Sequence, residues 1–309
     1  MYIGIDVGGT HTKFGLITTA GEVIEKAMID TNHDKDQFIE DLIAIITNYQ
    51  AEHTDILGVG ISAPGIIKAN GYLLTAGAIK PLYGTNLKEA IAKRVQLPVK
   101  VENDANAAAI AERWIGNAQG MENYLCMVLG TGIGGGIVAN GQVYRGFNGM
   151  AGEFGWMLMD RLPATGDLET VSLNQRAAVV GGLCYQYQLA LASAASELTP
   201  VNDAREIMER AAAGEPIAEK VLADFYRDLA VGLLNLISCF DPEAILIGGG
   251  ISANEAFMNR LKQTLAELIS RHHSLDYLQG IVENKILSAK LGNDAGMIGA
   301  VYQLHQTLI

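Results

Sequence analysis

The sequence predicts an α/β protein with two lobes, each a mixed β-sheet flanked by helices. Strand patterns that end in glycine turns occur in both halves of the chain, and helical patterns alternate with strand patterns after an initial meander. The chain has 309 residues, 49% of them hydrophobic, which is enough for two domains and a large buried core. Each half begins with a strand, a glycine turn and a second strand. We therefore expect the same architecture in both halves, built from different residues.

The first half of the chain predicts a strand meander followed by β-α-β alternation. The predicted strands are rich in β-branched residues and end at turn residues. One segment instead has apolar residues at helical spacing and predicts a helix. In chain order the predicted elements are a strand within 2–9 that runs into a glycine turn, two strands within 10–29 with a turn at Ala20-Gly21, a helix over 36–49, strands within 56–65 and 99–104, and a helix from Ala105.

The second half predicts the same order with different residues. In chain order its elements are a strand within 124–132 that ends in a glycine turn, a strand and hairpin within 134–146 with Asn140-Gly141 at the tip, a helix over 222–240 stopped by Asp241-Pro242, a strand within 244–250, and helices over 254–272 and 294–308. We therefore expect an N-terminal lobe over 1–118, completed by a C-terminal helix at 293–309, and a C-terminal lobe over 119–292.

The charge balance and the cysteine usage argue against several functional classes. There are 22 Lys and Arg against 34 Asp and Glu, a formal net charge of −12, and nucleic acid is therefore not an expected partner because phosphate backbones require clustered basic residues. Cys126, Cys184 and Cys239 lie far apart in apolar segments and are expected to be buried free thiols in a reducing compartment. Met1 opens directly into a strand pattern, and no apolar segment is long enough to cross a membrane. We expect a cytoplasmic protein with no membrane partner.

Three glycine-rich turns follow predicted strands, at Gly8-Gly9-Thr10, at 130–136 and at 248–250. Glycine lets backbone N–H groups approach a phosphate closely, although any single turn of this kind can equally be a packing feature. Residues 130–135 (GTGIGG) match G-x-G-x-x-G, but the dinucleotide fingerprint requires a helix at the turn and a strand pattern follows here. No G-x-x-x-x-G-K-[ST] occurs, so a P-loop is excluded as well.

Several segments, taken together, resemble one family. The segments DVGGT at 6–10, LGTG at 129–132 and GGG at 248–250 resemble the actin/hexokinase/Hsp70 superfamily. The segments that narrow the resemblance to the ROK family of bacterial sugar kinases, repressors and open reading frames are ISAPG at 61–65, VENDANAAAIAERW at 101–114, GTGIGGGIV at 130–138, AGEFG at 151–155 and FDPEAILIGGG at 240–250. Those most similar to the β-glucoside kinase branch are AGEFGWMLMDR at 151–161, SLN at 172–174 and GNDAGMIGAVY at 292–302.

The resemblance implies a two-lobed actin-like ATPase fold made of duplicated ribonuclease H-like units. It implies a homodimer, with sugar and phosphate on the side of the N-terminal lobe and with nucleotide and oligomer contacts on the C-terminal lobe. Asp104 would be the catalytic base, and Asp6 would hold Mg²⁺ through water. The residues implied to contact the sugar are Gly65, Asn86, Asn103, Asp104, Glu153 and Glu169; those implied to bind ATP are Asp6, Gly8, Gly9, Thr10, Thr12, Gly130, Thr131, Gly132, Gly249 and Gly250.

The segment after GEFG departs from the family pattern. Many relatives carry His at this point and then a cysteine-rich zinc loop, whereas this chain has Trp156 and no cysteine over 157–172. Tetrahedral zinc requires about four Cys or His ligands, so no zinc site is expected. Residues 166–169 resemble the end of that loop, which implies that Glu169 reaches the sugar; a solvated surface carboxylate is the alternative. Trp156 either stacks on a sugar face or packs in the core or at the rim.

Residue chemistry alone leaves alternatives open at several of these positions. Asp104 follows a strand and precedes a helix, so it is either a base or the N-cap of that helix, and Asn103 either binds hydroxyl groups or forms a turn. Asp6 either orients Mg²⁺ or hydrogen-bonds the glycine turn. Glu153 is either held tightly for a ligand or simply solvated. Glu102 alternates to the opposite face from Asn103, which favours a structural role.

We therefore expect an ATP-dependent kinase that phosphorylates a hexose or a β-glucoside, at the 6-hydroxyl. Phosphoryl transfer to an alcohol requires alignment, charge stabilisation and a base, and the motifs supply these residue types. N-acetylmannosamine kinase and glucokinase are alternatives within the class, and a non-enzymatic sugar-sensing regulator is the alternative from another class. Regulators of this family carry an N-terminal helix-turn-helix, for which the segment before Gly8 leaves no room.

Overall fold

The computed structural model describes residues 1–194, 196 and 198–308. In this part of the chain the strands are β1 (Tyr2–Val7), β2 (His11–Ile17), β3 (Val23–Asp30), β4 (Val59–Ala63), β5 (Tyr72–Leu73), β6 (Thr85–Asn86), β7 (Val99–Asn103), β8 (Tyr124–Leu129), β9 (Ile133–Ala139), β10 (Gln142–Val143), β11 (Ala244–Gly248) and β12 (Ile286–Ser288). The α-helices are α1 (Lys35–Glu52), α2 (Leu87–Val95), α3 (Asp104–Ile115), α4 (Leu173–Ala177), α5 (Tyr185–Ser193), α6 (Ala204–Ala212), α7 (Pro216–Phe240), α8 (Glu255–Ser270) and α9 (Ala295–Leu308).

The first sheet has the strand order β3-β2-β1-β4-β7. Strands β1, β2 and β3 form an antiparallel meander, whereas β4 and β7 run parallel to β1. Every residue of β4 is buried, as expected for a central parallel strand that is covered on both faces. The carboxyl ends of β1, β4 and β7 therefore meet at one edge of the sheet.

Helices cover both faces of this first sheet. Ile3 of β1 packs in an apolar cluster with residues of α1 and α2, including Leu42 and Ile91. Tyr2, whose side chain points to the opposite face, packs in a second cluster with residues of α3 and α9, including Met297. The alternation of side chains along β1 thus supports two separate apolar layers.

The second sheet has the strand order β10-β9-β8-β11-β12. Strands β9 and β10 form an antiparallel hairpin, and Asn140 and Gly141 at its tip have φ values of 51° and 70°, as the predicted turn dipeptide requires. Strands β11 and β12 are parallel. Tyr226 of α7 stacks on Phe257 of α8 with ring centroids 5.6 Å apart.

The chain divides into two compact units. The first comprises Met1–Cys126, Gly136–Gly152 and Lys290–Ile309, and the second comprises Met127–Gly135 and Glu153–Ala289. The predicted class, α/β with mixed sheets flanked by helices, is confirmed. The lobe limits given above stay a prediction, and Ile309, the last residue of the predicted C-terminal helix, lies outside the described residues.

Most predicted elements are present, with shifted ends. The helix predicted over 222–240 begins at Pro216, because the carboxylate of Glu215 accepts hydrogen bonds from the N–H groups of Ile217 and Ala218 and so caps an earlier turn. Sequence reasoning missed α2 and the short helices α4 to α6. Among the described helices, none combines the length and the apolar character that a bilayer crossing requires.

The expectation of three buried thiols is wrong for one cysteine. Cys126 and Cys184 are buried, whereas Cys239 is exposed. Cys239 lies in the last turn of α7, where Ser238 and Phe240 are exposed as well. A position within an apolar segment of the sequence therefore does not guarantee that the side chain is buried.

Candidate active site

Three parallel strands bring polar residues to one edge of the first sheet. In the strand register Asp6 of β1 lies beside Ser62 of β4, and Ala63 of β4 lies beside Asn103 of β7. The carboxyl ends of parallel strands are where α/β sheets commonly bind ligands. Asp6, Asn103 and the adjoining Asp104 therefore share this edge.

Asn103 fixes the turn between β7 and α3. Its Oδ1 accepts a hydrogen bond from the Asn106 N–H at 3.0 Å, which makes it the N-cap of α3. Its Nδ2 donates to the carbonyl oxygen of Gly65 at 3.0 Å and to Oδ1 of Asp104 at 2.9 Å. The alternative in which Asp104 caps a helix that begins at Ala105 is wrong, because α3 begins at Asp104 and Asn103 is the cap.

Asp104 is a carboxyl group with a raised pKa that stays open to solvent. The residue is exposed by area, yet the surrounding protein desolvates its carboxylate. This desolvation and the nearby negative charge of Asp6 raise the pKa of Asp104 to about 6. Hydrogen bonds from the Ala105 N–H at 2.8 Å and from Asn103 act in the opposite direction and lower it. Such a group is largely deprotonated at neutral pH and still basic enough to accept a proton, which is what a general base requires.

Asp6 is held at the end of β1 by a neighbouring strand. Its Oδ1 accepts a hydrogen bond from Oγ of Ser62 at 2.8 Å. Burial raises the pKa of Asp6, while the Ser62 hydrogen bond and the charge of Lys13 lower it and the charge of Asp294 raises it. A Cβ on Gly296 of α9 would overlap the Asp6 carboxylate, so glycine at this helix position leaves space for it. Sequence reasoning missed both Ser62 and Gly296 as supports of Asp6.

Gly65 and Asn86 lie in the segment between β4 and α2. Gly65 has a φ of +94°, and a Cβ there would lie 2.5 Å from the carbonyl oxygen of Thr75, so the position requires glycine. Asn86 is the N-cap of α2, with its Oδ1 accepting from the Glu89 N–H at 3.1 Å. Gly65 is therefore connected to Asn103 by the hydrogen bond described above. Asn86 caps α2, and its contact with a sugar stays a prediction.

The turn at residues 8–10 joins β1 to β2. The Gly8 N–H donates to the carbonyl oxygen of His11 at 3.0 Å, and the Gly8 carbonyl accepts from Oγ1 of Thr31 at 2.7 Å. Thr12 is buried, and its hydroxyl is 2.9 Å from that of Thr31. Thr12 thus supports the turn through Thr31, and phosphate binding by the turn stays a prediction.

The turn at residues 130–132 follows β8 in the second unit. The Gly130 N–H donates to the carbonyl oxygen of Gly132 at 3.0 Å, and the Gly130 carbonyl accepts from the Val179 N–H at 3.0 Å. Val179 begins the π-helical turn Val179–Cys184, a rare local structure that is frequent at functional sites. Backbone contacts therefore fix the shape of this glycine turn.

Asn174 is a site residue that sequence reasoning missed as such. Its Oδ1 accepts from the Ile133 N–H at 2.7 Å, directly after the glycine turn, and its Nδ2 donates to Oε1 of Glu169 at 3.3 Å. A Cβ on Gly132 would lie 3.3 Å from this amide, and one on Gly155 would overlap it. Asn174 therefore connects the glycine turn to the GEFG segment, and its place in the SLN segment was the available signal.

The two glutamates of the second unit differ in their surroundings. Glu153 is half-buried before the 3₁₀ turn Phe154–Trp156, and its carbonyl accepts from the Trp156 N–H at 3.1 Å. Glu169 is exposed, but its Oε1 accepts from Oγ of Ser172 at 3.1 Å as well as from the Asn174 amide described above. Glu169 is therefore an exposed carboxylate whose Oε1 is held by two hydrogen bonds, and its contact with a sugar stays a prediction. Trp156 is 48% exposed, which excludes the core position.

The third glycine turn follows β11. Gly249 has a φ of +89°, and a Cβ there would overlap the carbonyl group of Leu129 at the end of β8. The Gly249 carbonyl accepts from Oγ of Ser252 at 2.8 Å. Gly250 begins the 3₁₀ turn Gly250–Ala253, and a Cβ there would meet open space. Packing thus requires glycine at the first of these positions and not at the second.

The predicted site residues fall into two sets, one in each unit. The set of the first unit is Asp6, Gly8, Gly9, Thr10, Thr12, Gly65, Asn86, Asn103 and Asp104; the set of the second is Gly130, Thr131, Gly132, Glu153, Glu169, Gly249 and Gly250. Hydrogen bonds and charge coupling join Asp6, Asn103 and Asp104 in the first set, and Asn174 joins Glu169 to the glycine turn in the second.

Metal binding has a limited set of candidates. Among the described residues there is no group of three or more His, Cys, Asp or Glu side chains placed to hold an ion. Mg²⁺ keeps several waters and is commonly bound through one or two carboxylates and substrate phosphates, so Asp6 fits it. The absence of zinc stays a prediction.

Comparison with known proteins gives matches along the whole chain. The model of the ROK family matches residues 2–307. A β-glucoside kinase of Listeria innocua is 37% identical over 303 residues, which cover 97% of this chain and 96% of that protein. A glucokinase of Halalkalibacterium halodurans is 35% identical over 326 residues, covering 99% of this chain and 95% of that protein.

A solved structure shows the same fold. A ROK family glucokinase from Streptomyces griseus, in complex with glucose and AMPPNP, has a TM-score of 0.78 and 28% identity, covering 98% of each chain. The fold and the family that the motifs predicted are confirmed.

Proposed function

We propose, on the premise that this chain belongs to the ROK family, that it is an ATP-dependent sugar kinase that phosphorylates a hexose or a β-glucoside at the 6-hydroxyl. The observation that carries the proposal is Asp104, an exposed carboxylate with a pKa of about 6 that Asn103 and the start of α3 hold at a strand edge. The 37% identity to a β-glucoside kinase over nearly all of both chains supports the substrate class.

In this proposal Asp104 accepts the proton of the sugar hydroxyl as the oxygen attacks the γ-phosphorus of ATP. The bond between that phosphorus and the β,γ-bridging oxygen breaks, and ADP is the leaving group. Its Oδ1 is already hydrogen-bonded, so the second carboxylate oxygen is the one that faces the hydroxyl. Asn103 keeps the carboxylate in place and binds sugar hydroxyls. The remaining sugar contacts are assigned to Gly65, Asn86, Glu153 and Glu169.

ATP is assigned to the glycine turns. Backbone N–H groups at residues 8–10 and 130–132 bind phosphate oxygens without requiring basic side chains, and Gly249 and Gly250 flank the adenosine. Thr12 supports the first turn through Thr31. Asp6 would hold Mg²⁺ through water, and the ion would supply positive charge that neutralises the phosphates of ATP.

The alternatives within the class differ in the sugar. The 35% identity to a glucokinase keeps glucose as a candidate, and N-acetylmannosamine is the third. A sugar-sensing regulator without catalysis is the alternative from another class. Homodimerisation, a cytoplasmic location and the absence of nucleic acid and membrane partners belong to the same proposal.

The test is a coupled ADP-release assay with ATP, Mg²⁺ and a panel of cellobiose, glucose and N-acetylmannosamine. We expect the highest kcat/KM with cellobiose and a phosphorus NMR signal of a 6-phosphate ester in the product. Highest activity with glucose or N-acetylmannosamine would make that sugar the assigned substrate in place of a β-glucoside. Sugar binding without ADP release would contradict the kinase and favour the sugar-sensing regulator.

A further inference from the structure

A cavity of about 560 Å³ lies within the first unit, apart from the strand edge that carries Asp104. Its volume falls in the range of small-molecule sites, about 300 to 1,000 Å³. Asp6, Asn103 and Asp104 are not among its lining residues, whereas Glu102, which precedes Asn103 on β7, is. Lys100 and Glu102 are two residues apart on β7, so they share a face of the sheet and Asn103 points to the other.

The lining of this cavity is basic in a protein that is strongly acidic overall. The cations Lys68, Lys100, Arg113 and Arg145 line it together with the carboxylates Glu102 and Glu122. Arg113 pairs with Glu122 at 3.3 Å and Arg145 with Glu102 at 2.5 Å. The ammonium group of Lys68 lies 5.7 Å from the centre of the Tyr72 ring. No ion pair within the described part of the chain uses Lys68 or Lys100, so neither lysine charge is matched by a carboxylate. An anion is therefore the expected occupant.

The neutral lining residues add hydrogen-bonding groups. Amide and hydroxyl side chains line the cavity at Asn140, Gln142, Gln303, Gln306 and Thr307. Such groups both donate and accept hydrogen bonds, as the hydroxyl groups of a carbohydrate do. The ammonium groups of Lys68 and Lys100, which form no ion pair in the described part of the chain, match a phosphate dianion. The surrounding amide side chains match the hydroxyl groups of a sugar.

Glu102 connects the cavity to the Asn103–Asp104 turn between β7 and α3. It is 3% exposed, and its Oε2 accepts from Nε of Arg145 at 3.1 Å, from Nη2 at 2.5 Å and from the amide of Gln303. Its Oε1 accepts from the Asn103 N–H at 3.0 Å and from Nδ2 of Asn106 at 3.2 Å. One buried carboxylate thus bonds a cavity arginine on one side and the Asn103 turn on the other.

We propose that this cavity is a second ligand site for a hexose phosphate, and that its occupation lowers the turnover of the kinase. A phosphate bound by Lys68 and Lys100 competes with Glu102 for the guanidinium of Arg145. Glu102 then loses charge compensation in a buried place, and the Asn103–Asp104 turn that it supports is displaced. The binding step is independent of the proposed function, whereas the regulatory step rests on it.

Binding is tested by calorimetric titration of the full chain with glucose 6-phosphate, with glucose and inorganic phosphate as separate probes. The test variant is Lys68→Gln with Lys100→Gln, since neither side chain has an ion-pair partner in the described part of the chain. The control is Lys35→Gln, an exposed lysine of the same unit. We expect two binding events for glucose 6-phosphate in wild type and in Lys35→Gln, one at the active site as product and one at the cavity. In the double variant the cavity event should be weaker by about tenfold or more, while product binding remains.

Equal binding by the double variant and the wild type, or the absence of saturable binding to the wild type, would overturn the site. Inorganic phosphate binding as tightly as glucose 6-phosphate would overturn the assignment of a sugar ester in favour of a simple anion. Loss of binding in Lys35→Gln to the same degree would show a non-specific charge effect and contradict the site.

Regulation is tested by initial rates with glucose 6-phosphate at varied sugar concentration. We expect a non-competitive component, a fall in kcat, in wild type and Lys35→Gln, and purely competitive product inhibition in the double variant. Competitive inhibition alone in the wild type would overturn the regulatory step. A protein that binds the ester at this cavity but turns over no sugar would contradict the proposed function and the regulatory step, while the binding assignment stands.

Discussion

The Asn103–Asp104 turn of the first unit and the glycine turn of the second unit are built in opposite ways. At the first, side chains supply the chemistry: a carboxyl group with a raised pKa and the amide that holds it. At the second, residues 130–132 have a shape fixed by backbone hydrogen bonds and by one amide, that of Asn174. A substitution in the first region therefore removes a chemical group from an intact frame, whereas a substitution in the second changes the frame itself.

The largest effect is expected for Asp104→Asn. The amide keeps the shape of the side chain but cannot accept the sugar proton, so kcat should fall by roughly 10²- to 10⁴-fold. ATP affinity, measured by calorimetric titration, should stay close to that of wild type because the glycine turns are untouched. An Asp104→Asn or Asp104→Ala variant with undiminished activity would contradict the assignment of Asp104 as the base. The difference described between the two regions would then not hold.

The pH dependence of kcat/KM sharpens the same contrast. Asp104 acts in its deprotonated form, so kcat/KM should be level above its pKa of about 6 and fall about tenfold per pH unit below it. Stopped assays from acid to neutral pH check this. Carboxyl NMR on Asp6→Asn provides the control, since removing the Asp6 charge should lower the pKa of Asp104; an unchanged pKa would contradict their coupling.

Asn174→Ala tests the second region. It leaves the Ile133 N–H without its acceptor, a loss of about 1 to 3 kcal/mol in buried surroundings, so KM for ATP should rise by about tenfold or more. Asn259→Ala, at an exposed position of α8, is the matched control. If kcat falls while KM for ATP is unchanged, the glycine turn does not depend on this amide as proposed.

Asn103→Ala is expected to lower stability in addition to activity, because Asn103 both caps α3 and holds the Asp104 carboxylate. It removes the N-cap of α3 and should lower the free energy of unfolding by about 1 kcal/mol in urea titrations. Asn103→Asp keeps a capping oxygen and should recover most of this loss. Equal destabilisation by both variants would mean that the bonds to Gly65 and Asp104 matter more than the cap.

The smallest effect expected is a gain in thermal stability from Asp104→Asn. The folded-state pKa of Asp104 lies above the unfolded-state value, so the folded protein loses stability as pH rises from about 4 through about 6. Removing the ionisable group should raise Tm at about pH 8 and leave it unchanged near pH 4. Calorimetry at the two pH values measures the difference, and a lower Tm at pH 8 would contradict the raised pKa.

Sequence reasoning predicted the features that depend on neighbouring residues. Buried β-branched segments and glycine turns identified β1, β4, β7, β8 and β11, and helical spacing identified α1, α3, α8 and α9. It placed Asp104 at a strand end correctly. It did not identify Asn103 as the cap, because Asn and Asp are both preferred at that position.

The missed features depend on contacts between distant parts of the chain. Ser62 supports Asp6 from another strand, and Asn174 reaches a turn that lies 41 residues earlier. Gly296 is a glycine because a carboxylate from β1 occupies the space beside it. The short helix α5 buries only Tyr187 and Leu191, which is too few residues to produce a helical pattern. Only the folded chain brings such partners together.

The first unit takes its last helix from a segment that is distant in sequence from the strands it covers. Met297, Val301 and Leu304 of α9 are buried against Tyr2 and Ile17 of the first sheet, and α9 is synthesised long after these strands. Until α9 emerges, α3 alone covers this face of the sheet, and part of its apolar surface stays exposed. The residues of the second unit precede α9 and are already synthesised at that stage. We expect the nascent chain to depend on chaperones during that interval and to become protease-resistant in its first unit only after α9 has emerged.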